Sequence, residues 1–163
     1  MRRPVAAALG AVLVAGVFCG WSGWSYHQAA HSSSVRFAAA RDQVQRAGRQ
    51  EIATLNTLDP RQSDAGLRRW LDASTGALHD ELQRESAQNR QKVAQAQVAA
   101  AGTVTDLAVT ELDTRAGTAQ VIATVQVDLG TRGTQRKRFT AVLARTGKDW
   151  KLTSLTAVPV GAQ

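Results

Sequence analysis

The stretch AQVIATVQVD, Ala119 to Asp128, sets Ala119, Val121, Ala123, Val125 and Val127 on one side of an extended chain and Gln120, Ile122, Thr124, Gln126 and Asp128 on the other. Successive side chains of a strand point to opposite faces, so this alternation predicts a strand with one face buried. Similar strands are expected at Thr103 to Leu112, Gln135 to Arg145 and Trp150 to Ala157. The gaps Asp113 to Gly117, Gly130 to Gly133 and Thr146 to Asp149 are short and rich in turn residues. Short gaps of that kind join antiparallel neighbours, which gives a meandering four-stranded sheet.

Upstream of Ala101-Gly102 the period is helical. Ser32, Ser33 and Ser34 form a polar hinge able to cap a helix beginning near Val35. Phe37, Ala40, Val44 and Ala47 then recur at helical spacing up to about Leu55. Pro60 disfavours helical geometry at Asp59 and ends that helix. A second helix starts near Ser63, with Leu67, Trp70, Leu71 and Ser74 on one face. Gly76 interrupts it before Leu78, Leu82 and a polar stretch to about Val93. Helices first and a meander second predict an α+β domain, about three helices packed on a curved four-stranded antiparallel sheet, over residues 35–163.

The N-terminal part reads differently. From Pro4 to Trp24 the run PVAAALGAVLVAGVFCGWSGW carries no charge, long enough as a helix to span a hydrocarbon layer of about 30 Å. Trp21, Trp24 and Tyr26 cluster at its end, as aromatic rings do at a headgroup boundary. The expected order is a stub at 1–3, a single transmembrane helix at 4–24, a hinge at 25–34 and an extracytoplasmic domain. Arg2 and Arg3 on the short side place the N-terminus in the cytoplasm. A cleaved signal peptide would export the same domain, but bulky aromatics occupy the place of a cleavage site. Gly16 and Gly20 form a small-residue pair through which two anchors can pack, a weak self-association.

The whole chain of 163 residues has a formal charge of +7 and one cysteine, Cys19, inside the apolar run. A disulfide framework is therefore excluded, and Phe18 before Cys19 argues against a lipidation site. The basic balance favours anionic neighbours, membrane lipid among them. Arg136, Lys137 and Arg138 are the densest basic cluster and the candidate anionic contact. Aromatics for stacking bases are not interleaved with them, so nucleic acid is not an expected partner.

No catalytic residue, cofactor or metal is expected. The predicted inner face offers Ala and Val, and Asp106 falls in the opposite phase from Leu107 and Val109. His79 stands beside Asp80 and Glu81 on a helix and is expected to face solvent. His27 and His31 are four apart without a third ligand close by. The alternative to a scaffold is a ligand carrier, with a lipid or sterol-like molecule in an apolar cleft between Val44, Trp70, Leu71, Val121, Val125 and Trp150. A cone-shaped isomerase or dehydratase comes third, because it needs an inward acid or base.

The segment Ile52 to Leu82, IATLNTLDPRQSDAGLRRWLDASTGALHDEL, carries a resemblance. With Thr57, Leu58 and Asp59 in a "TLD" turn, Thr75 and Gly76 at a helix break and WKLTSLTAV as closing strand, the chain resembles the Mce-associated membrane proteins of actinobacteria. It departs from them at Asn56, where members often carry an aromatic residue. The resemblance implies a cystatin-like or nuclear-transport-factor-2-like cone. It also implies a non-enzymatic accessory role beside envelope lipid transporters, with transporter subunits as partners.

Overall fold

Four strands follow one another in space as they do in sequence: β1 (Ala101–Asp113), β2 (Thr118–Asp128), β3 (Thr134–Thr146) and β4 (Asp149–Val158), every pair antiparallel. The computed structural model describes residues 33–96 and 98–159. From Ala40 onward the chain forms one compact unit. The expected transmembrane helix at 4–24 lies outside the described residues, as do Gly16 and Gly20. Among the described residues, no helix is long and apolar enough to cross a membrane.

Strand β2 has the pattern expected of it. Val121 and Val125 are fully buried, Ala119, Ala123 and Val127 nearly so, and Ile122 on the opposite face is 49% exposed. Its neighbours keep their polar side chains off the core by a device that alternation alone does not supply. Register shifts occur between Val104 and Asp106, between Val109 and Glu111 in β1, and between Val142 and Leu143 opposite β4. The extra residues are Thr105, Thr110 and Thr153. Without the first two, strict alternation from Val104 would carry Asp106 inward, and alternation from Val109 would do the same to Glu111. Each bulge reverses the phase, so Leu107 and Leu112 face the core instead. All three extra residues are threonines whose hydroxyls donate to a carbonyl of the neighbouring strand. Thr105 reaches Thr124 at 3.3 Å, Thr110 reaches Gln120 at 3.1 Å and Thr153 reaches Val142 at 3.1 Å.

The helices cover the inner face. In α1 (Ser33–Leu55), Val44, Gly48 and Ile52 lie four apart and are all buried. A Cβ on Gly48 would lie 3.0 Å from Leu107 Cδ1, so helix and sheet approach closely there. Val44 and Ile52 join Leu107, Val121, Val125, Phe139, Leu143, Trp150 and Leu152 in one apolar cluster. Each such large side chain, fully buried, contributes about 1.5–3 kcal/mol.

The end of α1 is tied to the start of β1. Thr57 Oγ1 donates to Ala53 O at 2.8 Å and accepts from Gly102 N at 3.1 Å. Leu58 and Ala100 exchange both backbone hydrogen bonds at 2.8 Å. Asp59 caps a short 3-10 turn, Pro60–Gln62, by accepting from Arg61 N at 2.9 Å. Then come α2 (Ser63–Ala73), α3 (Gly76–Arg84) and α4 (Ser86–Gln95). Four described helices thus stand where about three were expected. The expected break at Gly76 is present, with φ +57°. A further break at Glu85 (φ −90°, ψ 7°) divides the polar stretch into α3 and α4. Across the Gly76 break, Thr75 N donates to Leu152 O at 2.8 Å and joins the helices to β4.

Candidate functional site

The residues expected to line an apolar cleft separate into two groups. Val44, Val121 and Val125 have no exposed surface and Trp150 only 3%, so the space between α1 and the sheet is filled by side chains at these positions. At Val44, Val121 and Val125 it is core. Trp70 and Leu71 are half-buried on α2 and belong to the helix junction instead. Trp70 Nε1 donates to Thr54 O at 3.0 Å and Thr57 O at 3.2 Å, carbonyls at the C-terminal end of α1. Leu71 O accepts from Ser74 N at 3.2 Å and from Ser74 Oγ at 3.0 Å.

His79 corrects the expectation of a solvent-facing ring. It is half-buried, with Nδ1 3.0 Å from Leu71 O and 3.4 Å from Ser74 Oγ. A carbonyl oxygen can only accept, so Nδ1 is the donor in that contact. Ser74, only 2% exposed, spends its own hydrogen on Leu71 O. Serine and histidine therefore converge on one orphan carbonyl of a helix end, the arrangement of a cap. The signal for it was the five-residue spacing across a glycine break, which sequence reasoning passed over.

The basic cluster is split by the strand's own alternation. Arg136, Lys137 and Arg138 are all exposed on β3. Arg136 pairs with Gln126 and Arg138 with Thr124 on the outer face, whereas Lys137 pairs with Val125 in the inner phase. An anion on the outer face meets two of the three.

Of the grooves that flank the sheet, two carry charged side chains from both α1 and the strands. The first, about 540 Å³, is lined by Asp106, Ala108, Ile122, Thr124 and Arg138 of the outer phase, by Leu107, Ala123 and Phe139 of the inner phase, and by Val158 and Arg49. Arg49 donates to Val104 O at 3.3 Å and Thr105 O at 3.4 Å, the carbonyls at the bulge. The second, about 580 Å³, lies between α1 and the β3–β4 turn and is lined by Gln43, Arg46, Glu51, Lys148, Trp150 and Lys151 among others. Burial raises the pKa of Glu51 above its ordinary value, opposed by the attraction of Lys151. Asp113, the last residue of β1, is shifted the other way by the backbone N–H groups of Ala116 and Arg115.

The buried inner-face side chains are apolar throughout, from Leu107 and Phe139 to Trp150 and Leu152. Among the described residues, no three His, Cys, Asp or Glu side chains converge as a metal-binding group. The grooves beside the sheet are lined by charged and apolar side chains together.

Solved structures similar to this chain include bacterial secretion and transfer proteins. An IcmL-like type IV secretion system protein of Legionella pneumophila is 16% identical with a TM-score of 0.56, over 76% of this chain and 95% of its own. A periplasmic fragment of TraM is 12% identical with a TM-score of 0.55, over 71% and 95%. CagV of Helicobacter pylori, a VirB8 homolog, is 10% identical with a TM-score of 0.54, over 74% and 99%. At these identities the likeness is one of fold alone. In sequence, the uncharacterized protein Rv1363c of Mycobacterium tuberculosis is 27% identical over 95% of this chain, which spans 59% of that relative's length. With residues 3–159 matched by its model, the chain belongs to the family described as uncharacterized protein Rv1363c/MT1408-like.

Proposed function

We propose that this protein is a non-enzymatic accessory of the cell envelope, anchored by residues 4–24 with its N-terminus in the cytoplasm. Its domain at 35–163 then offers docking surfaces outside the membrane. The observation that carries this reading is the filled inner face: Val44, Val121, Val125, Leu143 and Leu152 are fully buried and leave the exposed grooves to do the work. An enzyme of such a fold needs an acid or base aimed into a cavity, and a lipid carrier needs an open one. The uncharged run Pro4 to Trp24 supports the anchor. The fold shared with a periplasmic fragment of TraM and with CagV supports a place in an envelope assembly.

The partners we favour are subunits of an Mce-type lipid transporter, on the strength of the Thr57-Leu58-Asp59 and Thr75-Gly76 segments. Membrane lipid is the second contact, met by Arg136 and Arg138 on the outer face. The test is affinity purification of the tagged protein in mild detergent, with mass spectrometry of protein and lipid fractions. Co-purified transporter subunits are the expected result. Recovery of the bare chain would refute the accessory role, and bound lipid without protein partners would favour the carrier.

A further inference from the structure

The outer face of the sheet divides by charge across its width. Strands β1 and β2 contain no Lys or Arg, and β3 contains no Asp or Glu. Register sets Asp106, Glu111 and Asp113 of β1 in the outer phase, opposite Thr124, Gln120 and Thr118, and sets Arg136 and Arg138 in the same phase on the far side of β2. All five side chains are exposed. None of the five is in an ion pair among the described residues. Between the acidic and basic rows lies Ile122, in the middle of β2, 49% exposed and flanked across the strands by Ala108 and Thr140. An apolar centre between charged rims is the layout of a protein interface.

We infer that two copies of this chain pair face to face through this side of the sheet, about a twofold axis running along β2. That rotation lays β1 of each copy over β3 of the other, so Asp106 meets Arg138 of the second copy on both sides of the axis and Ile122 meets its own counterpart. A twofold axis running across the strands would lay β1 on β1 and set carboxylates against carboxylates. The charge split thus selects the axis, and it selects the occupant as well: a foreign partner would need the same split in reversed order, which a second copy carries by construction. Asp128, at the far end of β2, is held by Gly130 N at 2.8 Å, and the angle of about 30° at which aligned sheets stack parts the two strands there. Three strands about 4.8 Å apart, taken over the 11 residues of β2 at about 3.3 Å each, make a face of about 500 Å². The pair buries about 1,000 Å², the lower bound of a specific contact, so the dimer is weak in solution and is favoured where two chains share one membrane. A rotation keeps every point at its own height along the axis, so both N-termini stay level, as two anchors in one membrane require. The pairing goes beyond the accessory role and does not depend on it. A partner sheet and a lipid headgroup exclude each other on this face, so the lipid contact of Arg136 and Arg138 belongs to a single copy.

The experiment uses the full chain in mild detergent, carrying Cys19→Ala and one new thiol from Thr124→Cys in the outer phase of β2, treated with a short bis-maleimide. Covalent dimers are expected from Thr124→Cys and not from Glu85→Cys, an exposed position on the helices. Arg138→Glu and Asp106→Arg, each added to Thr124→Cys, set two like-charge pairs across the axis and lower the dimer yield about tenfold. Mixing those two variants restores the yield, because the chain with Asp106→Arg then faces the chain with Arg138→Glu with opposite charges at both pairs. No dimer from Thr124→Cys, an equal yield from Glu85→Cys, or a yield indifferent to both charge reversals overturns the proposal. A loss that mixing does not reverse overturns it too, since a second chain does not mend a local folding defect. Cross-linked dimers with no transporter subunits in the pull-down would refute the envelope role and leave the pairing standing. Transporter subunits retained by a chain that never cross-links would do the reverse.

Discussion

Gly102→Ala is the substitution for which the structure makes its sharpest prediction. A Cβ at Gly102 would lie 2.6 Å from Asn56 Cβ and 3.0 Å from the backbone carbon and oxygen of Asn56. Carbon atoms settle at about 3.5–4.0 Å, so the end of α1 and the start of β1 must part by about 1 Å. That movement carries Gly102 N away from Thr57 Oγ1, now 3.1 Å distant, and out of bonding range. Overpacking costs about 1–3 kcal/mol and the lost hydrogen bond about 1 more. With a urea dependence of about 1–3 kcal/mol per molar, the midpoint falls by about 1–2 M. Far-UV circular dichroism of the full chain in mild detergent reads this directly. Gly66→Ala is the matched control: its Cβ would meet only Leu58 Cδ1, at 3.9 Å, inside a helix. It should stabilise by about 0.5–1 kcal/mol. Asn56→Gly removes the nearest contact and should couple favourably with Gly102→Ala in a double-mutant cycle. A Gly102→Ala midpoint equal to the parent's, or no coupling to Asn56, would refute the reasoning.

Thr110→Val and Thr153→Val each remove the hydroxyl that ties a bulge to the next strand. Each should cost about 0.5–1.5 kcal/mol in the same unfolding assay. Trp70→Phe, which strips the indole donor from the carbonyls of Thr54 and Thr57, should cost about 1–3 kcal/mol, with near-native secondary structure retained. Glu51 has a folded pKa above its unfolded value, so the unfolded chain ionises first and stability falls as pH rises through the two values. Glu51→Gln should therefore gain on the parent at neutral pH and converge with it in acid below the ordinary glutamate range, as measured by urea midpoints against pH. Asp113 is the opposite case: its stabilisation is present above its unfolded pKa and lost as pH falls through the lowered folded one. Asp113→Asn should flatten that acid limb.

The sheet was legible in the sequence because β2 alternates without a fault from Ala119 to Asp128 and its hairpin gaps are short. The bulges were not, because an extra residue shows itself only against a partner in register, and Thr105 or Thr110 looks like any strand threonine. Asp106 was nevertheless placed correctly opposite Leu107, since the local pair keeps its phase after the bulge. The basic run Arg136 to Arg138 read as a patch because charge was counted along the chain, while the strand sends Lys137 to the other face. In the sequence Trp70 and Trp150 stand alike, as lining residues of one expected apolar cleft. What separates them, a satisfied indole against an unpaired one, depends on carbonyls far away in sequence. The helix count fell short by one because nothing at Glu85 or Ser86, neither proline nor glycine, marks a break.

The bonds from Thr57 to Gly102 and between Leu58 and Ala100 bring the two ends of α2, α3 and α4 to one spot. Between that seam and the bond from Thr75 N to Leu152 O the later helices form a closed excursion, so its length is uncoupled from the register of the sheet. Lengthening such a closed excursion by about a dozen residues adds only about 0.2 kcal/mol of closure entropy. The exposed joint at Glu85 is then a natural splice point for a fluorescent or affinity module in the middle of the chain.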